Sequence, residues 1–455
     1  MEEATLATPK QNKMGTARML PLIFSMALPA MFSMLVQALY NIVDSYFVSQ
    51  VSDKGLAAVS LAFPLQNLLI AFAVGTGVGV MSLISRRLGE GRQDEANHAA
   101  AHGLVLAFVT WAAFAVYGAF FTTPFFQMFE SDQEIVQMGD QYISICCIFS
   151  FGIFLEVVME KILQATGNMI WPMVFQLVGA VCNIILDPIL IFGMFGLPAM
   201  GVSGAAIATV AGQIIAMLVS LIVVFTREHD VHITFRQFRL RWKIIKDIYI
   251  VGLPAIVMQS IGTVMTMALN GILAAFSTAA YTVFGLYFKL QSFVFMPVFG
   301  LTQGLMPIMG YNYGARNRKR LMSALKQGAV IALCIMALGM ALFLLIPDRL
   351  LGIFNATPEM LEIGVLALRV ICSCFVFAAL GIIGSTLFQA TGKGVYSLII
   401  SLMRQLVVLV PAAWLLSRIG LDAVWWSFPI AEVVSLLVTV VFFLRLYRKE
   451  LASLS

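Results

Sequence analysis

The sequence predicts an all-α polytopic membrane protein whose 12 transmembrane helices form two parallel repeats of six. Three observations predict this fold class. The 455 residues are 60% hydrophobic and only 11% charged, and their mean hydropathy is +0.94. Long apolar segments recur along the chain, and motifs of the first half return in the second half at a fixed spacing.

The apolar segments are long enough to be transmembrane helices. About 20 apolar residues cross the roughly 30 Å of bilayer hydrocarbon as a helix, whereas a soluble domain carries about a quarter charged residues. Barrel strands are excluded, because they would be stretches of about ten residues with alternating polarity. We name the predicted helices spans 1 to 12, and they cover residues 20–48, 56–84, 96–122, 136–160, 171–193, 202–225, 248–274, 281–309, 327–346, 361–386, 395–416 and 424–444.

The two halves of the chain are related by an offset of 225 positions, the distance between Gln164 and Gln389 in two copies of QATG. ALPA at 27–30 matches GLPA at 252–255 with this offset. Four glycines also recur, and Gly75, Gly79, Gly89 and Gly103 match Gly300, Gly304, Gly314 and Gly328. Each copy has six spans, so both copies enter the membrane from the same side and the repeats are parallel. QATG is predicted to form the turn after spans 4 and 10, with its glycine at positive φ.

Basic residues are distributed unequally between the two sides of the predicted bundle. Of the 28 Lys and Arg residues, 22 fall in segments on the side of the N-terminus, and the positive-inside rule makes that side cytoplasmic. We therefore expect a multi-pass protein of the cell membrane, surrounded by lipid, with both termini in the cytoplasm. The net charge of +5 follows from this rule and does not indicate a nucleic-acid partner.

Five segments follow from the predicted spans. Residues 1–19 form a cytoplasmic N-terminal segment, and the apolar stretch after them is too long for a secretory signal peptide. Residues 20–225 form an N-lobe (spans 1–6), 226–247 a basic cytoplasmic linker, 248–444 a C-lobe (spans 7–12) and 445–455 a cytoplasmic tail. Two parallel lobes around a central cleft suit alternating access, with substrate bound between them.

Four polar residues within the spans of the N-lobe have apolar counterparts in the C-lobe. They are Asp44, Asn183, Asp187 and Thr209, and they match Leu269, Val408, Ala412 and Val434. The directions of spans 1, 5 and 6 place the four in one layer, in the outer third of the membrane. Their oxygens suit a proton or a small cation, and two nearby carboxyl groups are expected to titrate as a pair. The sequence predicts a cation-coupling site here; the alternative is that Asp44 only caps a helix end and that Asp187 opens a turn at Pro188.

Pro29 in span 1 and Pro254 in span 7 occupy equivalent positions in the two copies. Proline lacks a backbone N–H and bends helices. Since Asp44 shares span 1 with Pro29, we expect a change of charge at Asp44 to be read out as a bend at Pro29. The presence of Pro254 indicates that part of this bend is architectural.

Other charged residues also lie within the spans. Glu156, in the inner half of span 4, is expected to face a cleft and to attract cationic substrates. Arg404 and Glu432 lie on the neighbouring spans 11 and 12 and are expected to pair with each other.

Four segments together resemble the multidrug and toxic compound extrusion (MATE) family, in particular its bacterial MepA-like branch. They are LPAMFSMLVQALYNIVDSYFVS (28–49), RRLGEGR (86–92), NIILDPILIF (183–192) and GVSGAAIAT (201–209). The resemblance covers essentially the whole chain and implies a V-shaped, two-lobe transporter with 12 helices. It further implies a secondary active antiporter that exports amphipathic, often cationic drugs, with H⁺ or Na⁺ as the coupling ion and no other cofactor.

The resemblance also implies roles for individual residues. In relatives with a cation site in the first lobe, the matching positions are Asp44, Asn183, Asp187 and Thr209, where Na⁺ is the alternative to a proton and no other metal is expected. The cavity-lining positions match Gln37, Tyr40 and Tyr142, and we add Asn41 and Glu156 to this candidate substrate cavity. Another branch holds sodium with carboxylates on spans 7 and 10. Here span 7 offers Gln259 and residues 366–386 contain no acid, which favours the N-lobe site.

Two other function classes were weighed against the antiporter. A flippase of the same superfamily, which moves a lipid-linked oligosaccharide, would be expected to have a more cationic cleft or additional helices. A membrane-embedded enzyme is disfavoured because the sequence contains no HExxH or GxSxG motif. We therefore expect no enzymatic activity, and an antiporter that functions as a monomer.

Overall fold

The computed structural model describes residues 12–235 and 238–454, without the side chains at positions 45 and 49. Residues 1–11 of the predicted N-terminal segment, residues 236–237 of the linker and residue 455 of the tail lie outside this description. The described chain is all-helical, with no β-strand among these residues. This part of the protein is an all-α polytopic membrane protein, as the sequence predicted.

In residues 12–235 and 238–454, ten helices are long and apolar enough to cross a membrane, and with each of two bent helix pairs taken as one span the number is 12. The continuous spans are Met19–Ser49 (span 1), Asp53–Gly89 (2), Gln93–Phe120 (3), Ile170–Phe192 (5), Gly201–Thr226 (6), Trp242–Ala274 (7), Thr278–Gly314 (8), Arg318–Leu345 (9), Gly394–Leu416 (11) and Ser427–Lys449 (12). Short helices Lys13–Thr16, Thr122–Phe129, Pro347–Gly352 and Leu421–Val424 lie between or before them.

Spans 4 and 10 are broken, although the sequence predicted each as one continuous helix. Span 4 consists of Gln133–Ile148 and Phe151–Ala165, bent by 44°, and span 10 of Pro358–Cys372 and Phe375–Ala390, bent by 49°. Serine side chains at the breaks donate hydrogen bonds to the preceding turn. Ser150 Oγ donates to the Cys147 carbonyl at 2.7 Å, and Ser373 Oγ donates to the Val370 carbonyl at 2.6 Å. Such local bonds compete with the helical ladder. The break occurs at equivalent places in both halves, so it belongs to the duplicated scaffold.

The duplication is visible in the helix boundaries. Spans 2 and 8 begin and end at positions that differ by 225, and so do spans 3 and 9. Both QATG copies form the predicted turn, because Gly167 and Gly392 have φ values of 90° and 80°. An amino acid with a Cβ would be strained in this left-handed conformation.

The two halves pack on each other through four spans, with span 2 against span 7, span 8 against span 1, and spans 2 and 8 against each other. The duplicated glycines lie in these contacts. Gly75 and Gly79 lie against the backbone of span 7 near residues 248–256, and Gly300 and Gly304 lie against span 1 near residues 26–31. A Cβ on Gly304, for example, would come within 2.8 Å of the Ala27 nitrogen.

The contact between the halves continues to the end of the bundle predicted to be cytoplasmic, which we call the inner end. There a Cβ on Gly89 would overlap the carbonyl oxygen of Tyr311, and one on Gly314 would overlap that of Arg86. Ser82 Oγ donates to the Gln389 carbonyl at 2.6 Å, which joins span 2 to the second QATG. The inner end is therefore closed by backbone-to-backbone contacts that glycine alone permits.

Candidate functional site

Three of the four predicted coupling residues form a hydrogen-bonded group between spans 5 and 6. Asp187 is 0% exposed, Asn183 2% and Thr209 5%. In the orientation that satisfies both ends of the Asn183 amide, its nitrogen donates to Asp187 Oδ2 at 2.9 Å. Its oxygen then accepts from Thr209 Oγ1 at 3.3 Å and from the Thr209 backbone nitrogen at 3.1 Å.

Glycines position this group by letting spans 5 and 6 approach closely. A Cβ on Gly212 of span 6 would lie 2.7 Å from the carbonyl oxygen of Gly179 on span 5, and 3.3 Å from Cβ of Asn183. Small residues at such crossings bring helix backbones together in membranes. Gly179 and Gly212 do not recur at the offset of 225, so the repeat does not single them out in the sequence.

Asp44 joins the group from span 1. Its carboxyl group is within hydrogen-bonding reach of the Asp187 carboxyl, and Tyr40, one turn earlier on span 1, lies beside Asp44 and Thr209. The Oδ1 atoms of Asp44 and Asp187 are both buried, and no donor among the described residues faces either of them. An ionised carboxylate can only accept a hydrogen bond, so a pair of carboxyl groups needs one proton to bond to each other.

The residues of the candidate substrate cavity divide into two groups. Tyr142 is buried beside Asp44 and Tyr40, and its hydroxyl donates to Gln66 Oε1 at 3.4 Å. Gln37 and Asn41 lie on the exposed side of span 1. Tyr40 and Tyr142 thus adjoin the coupling residues. Gln66 lies in the same group of side chains, although the sequence did not predict it as a cavity residue.

Glu156 is not part of this cluster. It is 8% exposed, and one of its carboxyl oxygens is buried without a hydrogen-bond donor among the residues that the structure describes. It lies beside Glu160 and Lys161 on the second helix of span 4, so the role assigned to it in attracting substrates stays a prediction.

The neighbours of Glu156 form a buried polar network that joins the two halves, which we call the inner polar network. Lys161 Nζ lies 3.1 Å from Glu160 Oε1, 2.9 Å from Gln164 Oε1 and 3.0 Å from Gln303 Oε1 on span 8. Gln176 on span 5 donates to the second oxygen of Glu160 at 2.9 Å. Both charges of the ion pair are about 95% buried, so each depends on the other for compensation.

Pro29 and Pro254 lie inside continuous helices, spans 1 and 7. Both prolines lie where glycines of the other half make contact, Pro29 opposite Gly300 and Gly304, and Pro254 opposite Gly75. A bend at either proline would therefore act on the contact between the halves. Among the described residues, no group of three or more His, Cys, Asp and Glu side chains is placed to hold a metal ion.

Comparisons with known proteins match most of the chain. The family model MatE matches residues 29–189 and 254–415, one segment in each half. Over 395 residues the chain is 27% identical to the multidrug export protein MepA of Staphylococcus haemolyticus, covering 86% of both proteins. Over 396 residues it is 26% identical to the FAD transporter of Shewanella oneidensis, covering 86% of this chain and 87% of that protein.

A solved structure has the same fold. It is the outward-facing conformation of a multidrug resistance MATE family transporter of the MOP superfamily, and it superposes with a TM-score of 0.91 at 28% sequence identity. The match covers 98% of this chain and 99% of the other.

Proposed function

The chain belongs to the MatE family of membrane transporters, and we propose that it is a secondary active antiporter that exports organic cations and other drugs in exchange for protons. In this proposal the two lobes expose a substrate site alternately to the two sides of the membrane. The cargo class is supported by the multidrug export protein MepA.

The single observation that carries the proposal is the pair formed by the half-buried Asp44 and the fully buried Asp187. Two carboxyl groups within hydrogen-bonding reach, each with an oxygen that no donor in the described part of the chain faces, form a site that is completed by a proton. The equivalent positions of the C-lobe are Leu269 and Ala412, so this chemistry belongs to one lobe of a symmetric scaffold. Placing an ionised aspartate within a bilayer costs up to about 3 kcal/mol. Protonation removes this cost, so it changes the relative stability of conformations that expose the pair to different extents.

A proton accounts better than sodium for the geometry around the pair. A sodium ion would need the neutral oxygens of Asn183 and Thr209 as ligands in addition to the carboxylates. The Asn183 oxygen already accepts two hydrogen bonds from Thr209, and its nitrogen donates to Asp187. The amide therefore serves to orient Asp187, and sodium-coupled antiport is the alternative to be tested.

The cycle that we propose uses the closed inner end as one of its two states. With the inner end closed, the coupling residues take up a proton from the outside and the substrate leaves. Opening the inner end requires spans 2 and 7 and spans 1 and 8 to separate at their glycines, and Lys161 to release Gln303. The proton then leaves to the cytoplasm and the next substrate enters. The protein acts in the cell membrane, as a monomer, with both termini in the cytoplasm.

Efflux of ethidium from proteoliposomes tests the proposal. Wild type and Asp187→Asn are compared under an imposed pH gradient and, separately, under an imposed sodium gradient. Asp132→Asn is the matched control, because Asp132 is a partly exposed aspartate away from the coupling residues that forms a 3.0 Å ion pair with Lys54. We expect the pH gradient to drive wild type and the control, and Asp187→Asn to be inactive.

The other outcomes distinguish the alternatives. Efflux by wild type under the sodium gradient alone would assign the same four residues to a sodium site. Normal efflux by Asp187→Asn under both gradients would reduce Asp187 to a helix-end residue. If neither gradient drives efflux, complementation of a strain that lacks a lipid-linked oligosaccharide flippase would support the flippase instead.

The FAD transporter suggests a second cargo class. This relative is as similar to the chain as MepA is, and FAD is an anion with an aromatic ring system. Assaying FAD beside ethidium in the same vesicles decides whether anionic cargo is carried.

A further inference from the structure

The C-lobe contains a cavity of about 340 Å³ between spans 7, 8, 10, 11 and 12. Its size lies at the lower end of the range for small-molecule sites, about 300–1,000 Å³. Aromatic rings form much of the wall, among them Phe288, Phe295, Phe375 and Phe428. The cavity is distinct from the coupling residues, all of which lie in the N-lobe.

An arginine and a glutamate face each other in this wall. As predicted, Arg404 and Glu432 pair, but through a single long contact of 3.5 Å between Nη1 and Oε1. A guanidinium has five N–H donors, and among the described residues Glu432 is its one hydrogen-bonding partner. The side chains are 26% and 15% exposed. The cavity thus presents an arginine with unused donors next to a carboxylate.

The duplication explains why a third polar group of the cavity has no partner. Gln291 is the C-lobe counterpart of Gln66, whose oxygen accepts a hydrogen bond from Tyr142. The counterpart of Tyr142 is Ala367, which has no hydroxyl group. Accordingly, Gln291 Oε1 is buried and no donor from any described residue faces it. The same exchange of tyrosine for alanine removes a large side chain from the C-lobe.

The backbone of span 11 also departs from the N-lobe pattern at this cavity. Residues Met403–Leu409, which include Arg404, form a π-helix, whereas span 5 is a regular α-helix over its whole length. Pro411 follows one turn later, and its ring would clash with the carbonyl of Val407 in a regular helix. π-Helical turns occur frequently at functional sites.

We propose that this cavity is a second ligand site, which binds an aromatic zwitterion that carries a carboxylate. The carboxylate binds to the free donors of Arg404, a positively charged group of the ligand lies near Glu432, and the rings pack among the phenylalanines. A guanidinium fits a carboxylate with two parallel hydrogen bonds. A zwitterion preserves the neutrality of the pair inside the membrane, whereas a simple cation or anion would leave a net charge there.

Equilibrium binding to the purified protein tests this site without any transport. Rhodamine 110, a xanthene dye with a free carboxylate, is compared with rhodamine 123, its cationic methyl ester, by fluorescence anisotropy. We expect wild type to bind rhodamine 110 at least tenfold more tightly. The double variant Arg404→Gln/Glu432→Gln removes both charges together, leaves no unpaired charge in the lobe, and should lose this preference.

Two further variants keep the test interpretable. Arg418→Gln makes the same change at the exposed end of span 11, where Arg418 stacks on Trp414, and should bind like wild type. Gln291→Met removes the unpaired oxygen and should weaken rhodamine 110 binding about fivefold. Unchanged preference for rhodamine 110 in the double variant would overturn the proposal, as would equal binding of the two dyes by wild type.

This site rests on the proposed function only in that its ligand would be a cargo. Asp187→Asn should bind rhodamine 110 normally even though it does not export ethidium. Loss of antiport and loss of this binding site are therefore separable results.

Discussion

At the scale of single residues, the structure assigns Asn183 a task that its sequence position alone did not reveal. Its amide nitrogen bonds to Asp187 and its oxygen is held by Thr209, so it fixes the direction in which Asp187 faces Asp44. The i, i+4 spacing on span 5 predicted a shared helix face for Asn183 and Asp187. The bond from span 6 depends on Gly179 and Gly212, and no periodicity in the sequence indicates it.

At the residue scale, we predict that the losses of efflux caused by substitutions at Asp44 and Asp187 do not add. Either Asp44→Asn or Asp187→Asn supplies an amide donor in place of the shared proton, so each should reduce efflux driven by a pH gradient at least tenfold. The double variant should be no worse than either single variant, because residues that act as one unit lose their function together. Initial rates of ethidium efflux measure this, with ethidium binding as the control for folding. Losses that multiply in the double variant would show two independent roles.

At the scale of helices, glycines and prolines coincide at the contact between the lobes. The sequence showed that Gly75, Gly79, Gly300 and Gly304 are duplicated, and the structure shows that each lies against the helix that carries a duplicated proline. The reciprocal packing of span 2 on span 7 and of span 8 on span 1 could not be predicted. In a membrane, faces toward lipid and faces toward other helices are both apolar, so the pattern does not distinguish them.

Gly79→Ala tests how closely spans 2 and 7 must approach. The added methyl group would overlap the Ile248 carbonyl and lie 3.0 Å from the Gly252 nitrogen, both on the backbone of span 7. We expect a loss of stability of about 1–3 kcal/mol, measured by thermal unfolding, and slower efflux. Gly285→Ala on span 8 is the control, because nothing lies within 4 Å of its Cβ. Equal behaviour of the two variants would mean that spans 2 and 7 do not need to approach this closely.

Pro29→Ala tests whether span 1 transmits the state of Asp44. Alanine restores the missing backbone donor and straightens the helix, so efflux should fall at least tenfold while ethidium binding is retained. Pro254→Ala makes the same change in span 7, where Leu269 takes the place of Asp44, and should have a smaller effect. If both variants lose efflux equally, the two prolines have the same structural role in both lobes, and Pro29 has no separate role in proton coupling in the N-lobe.

At the scale of the whole molecule, the features that follow from the duplication could be predicted from the sequence. The features that depend on tertiary packing could not. The 12 spans, the parallel repeats and the grouping of Asp44 with Asp187 follow from length, offset and membrane depth. The breaks in spans 4 and 10 and the π-helix of span 11 interrupt apolar segments without changing their composition. Spans 2 and 3 are comparably apolar, yet span 2 is largely buried and span 3 largely exposed. The cavity near Arg404 could not be predicted from the sequence, because five different spans contribute residues to its wall.

A disulfide across the inner end tests whether the lobes must separate during transport. A Cβ built on Gly310 of span 8 would lie 3.3 Å from the Ser85 Cβ of span 2, close to the 3.5–4.5 Å that is typical of disulfides. Ser85→Cys/Gly310→Cys, with the exposed Cys334 replaced by serine, should cross-link on oxidation and stop ethidium efflux, and a reductant should restore it. Oxidation should not change ethidium efflux by either single cysteine variant. Undiminished efflux by fully cross-linked protein would refute alternating access through this end, because spans 2 and 8 could then not part.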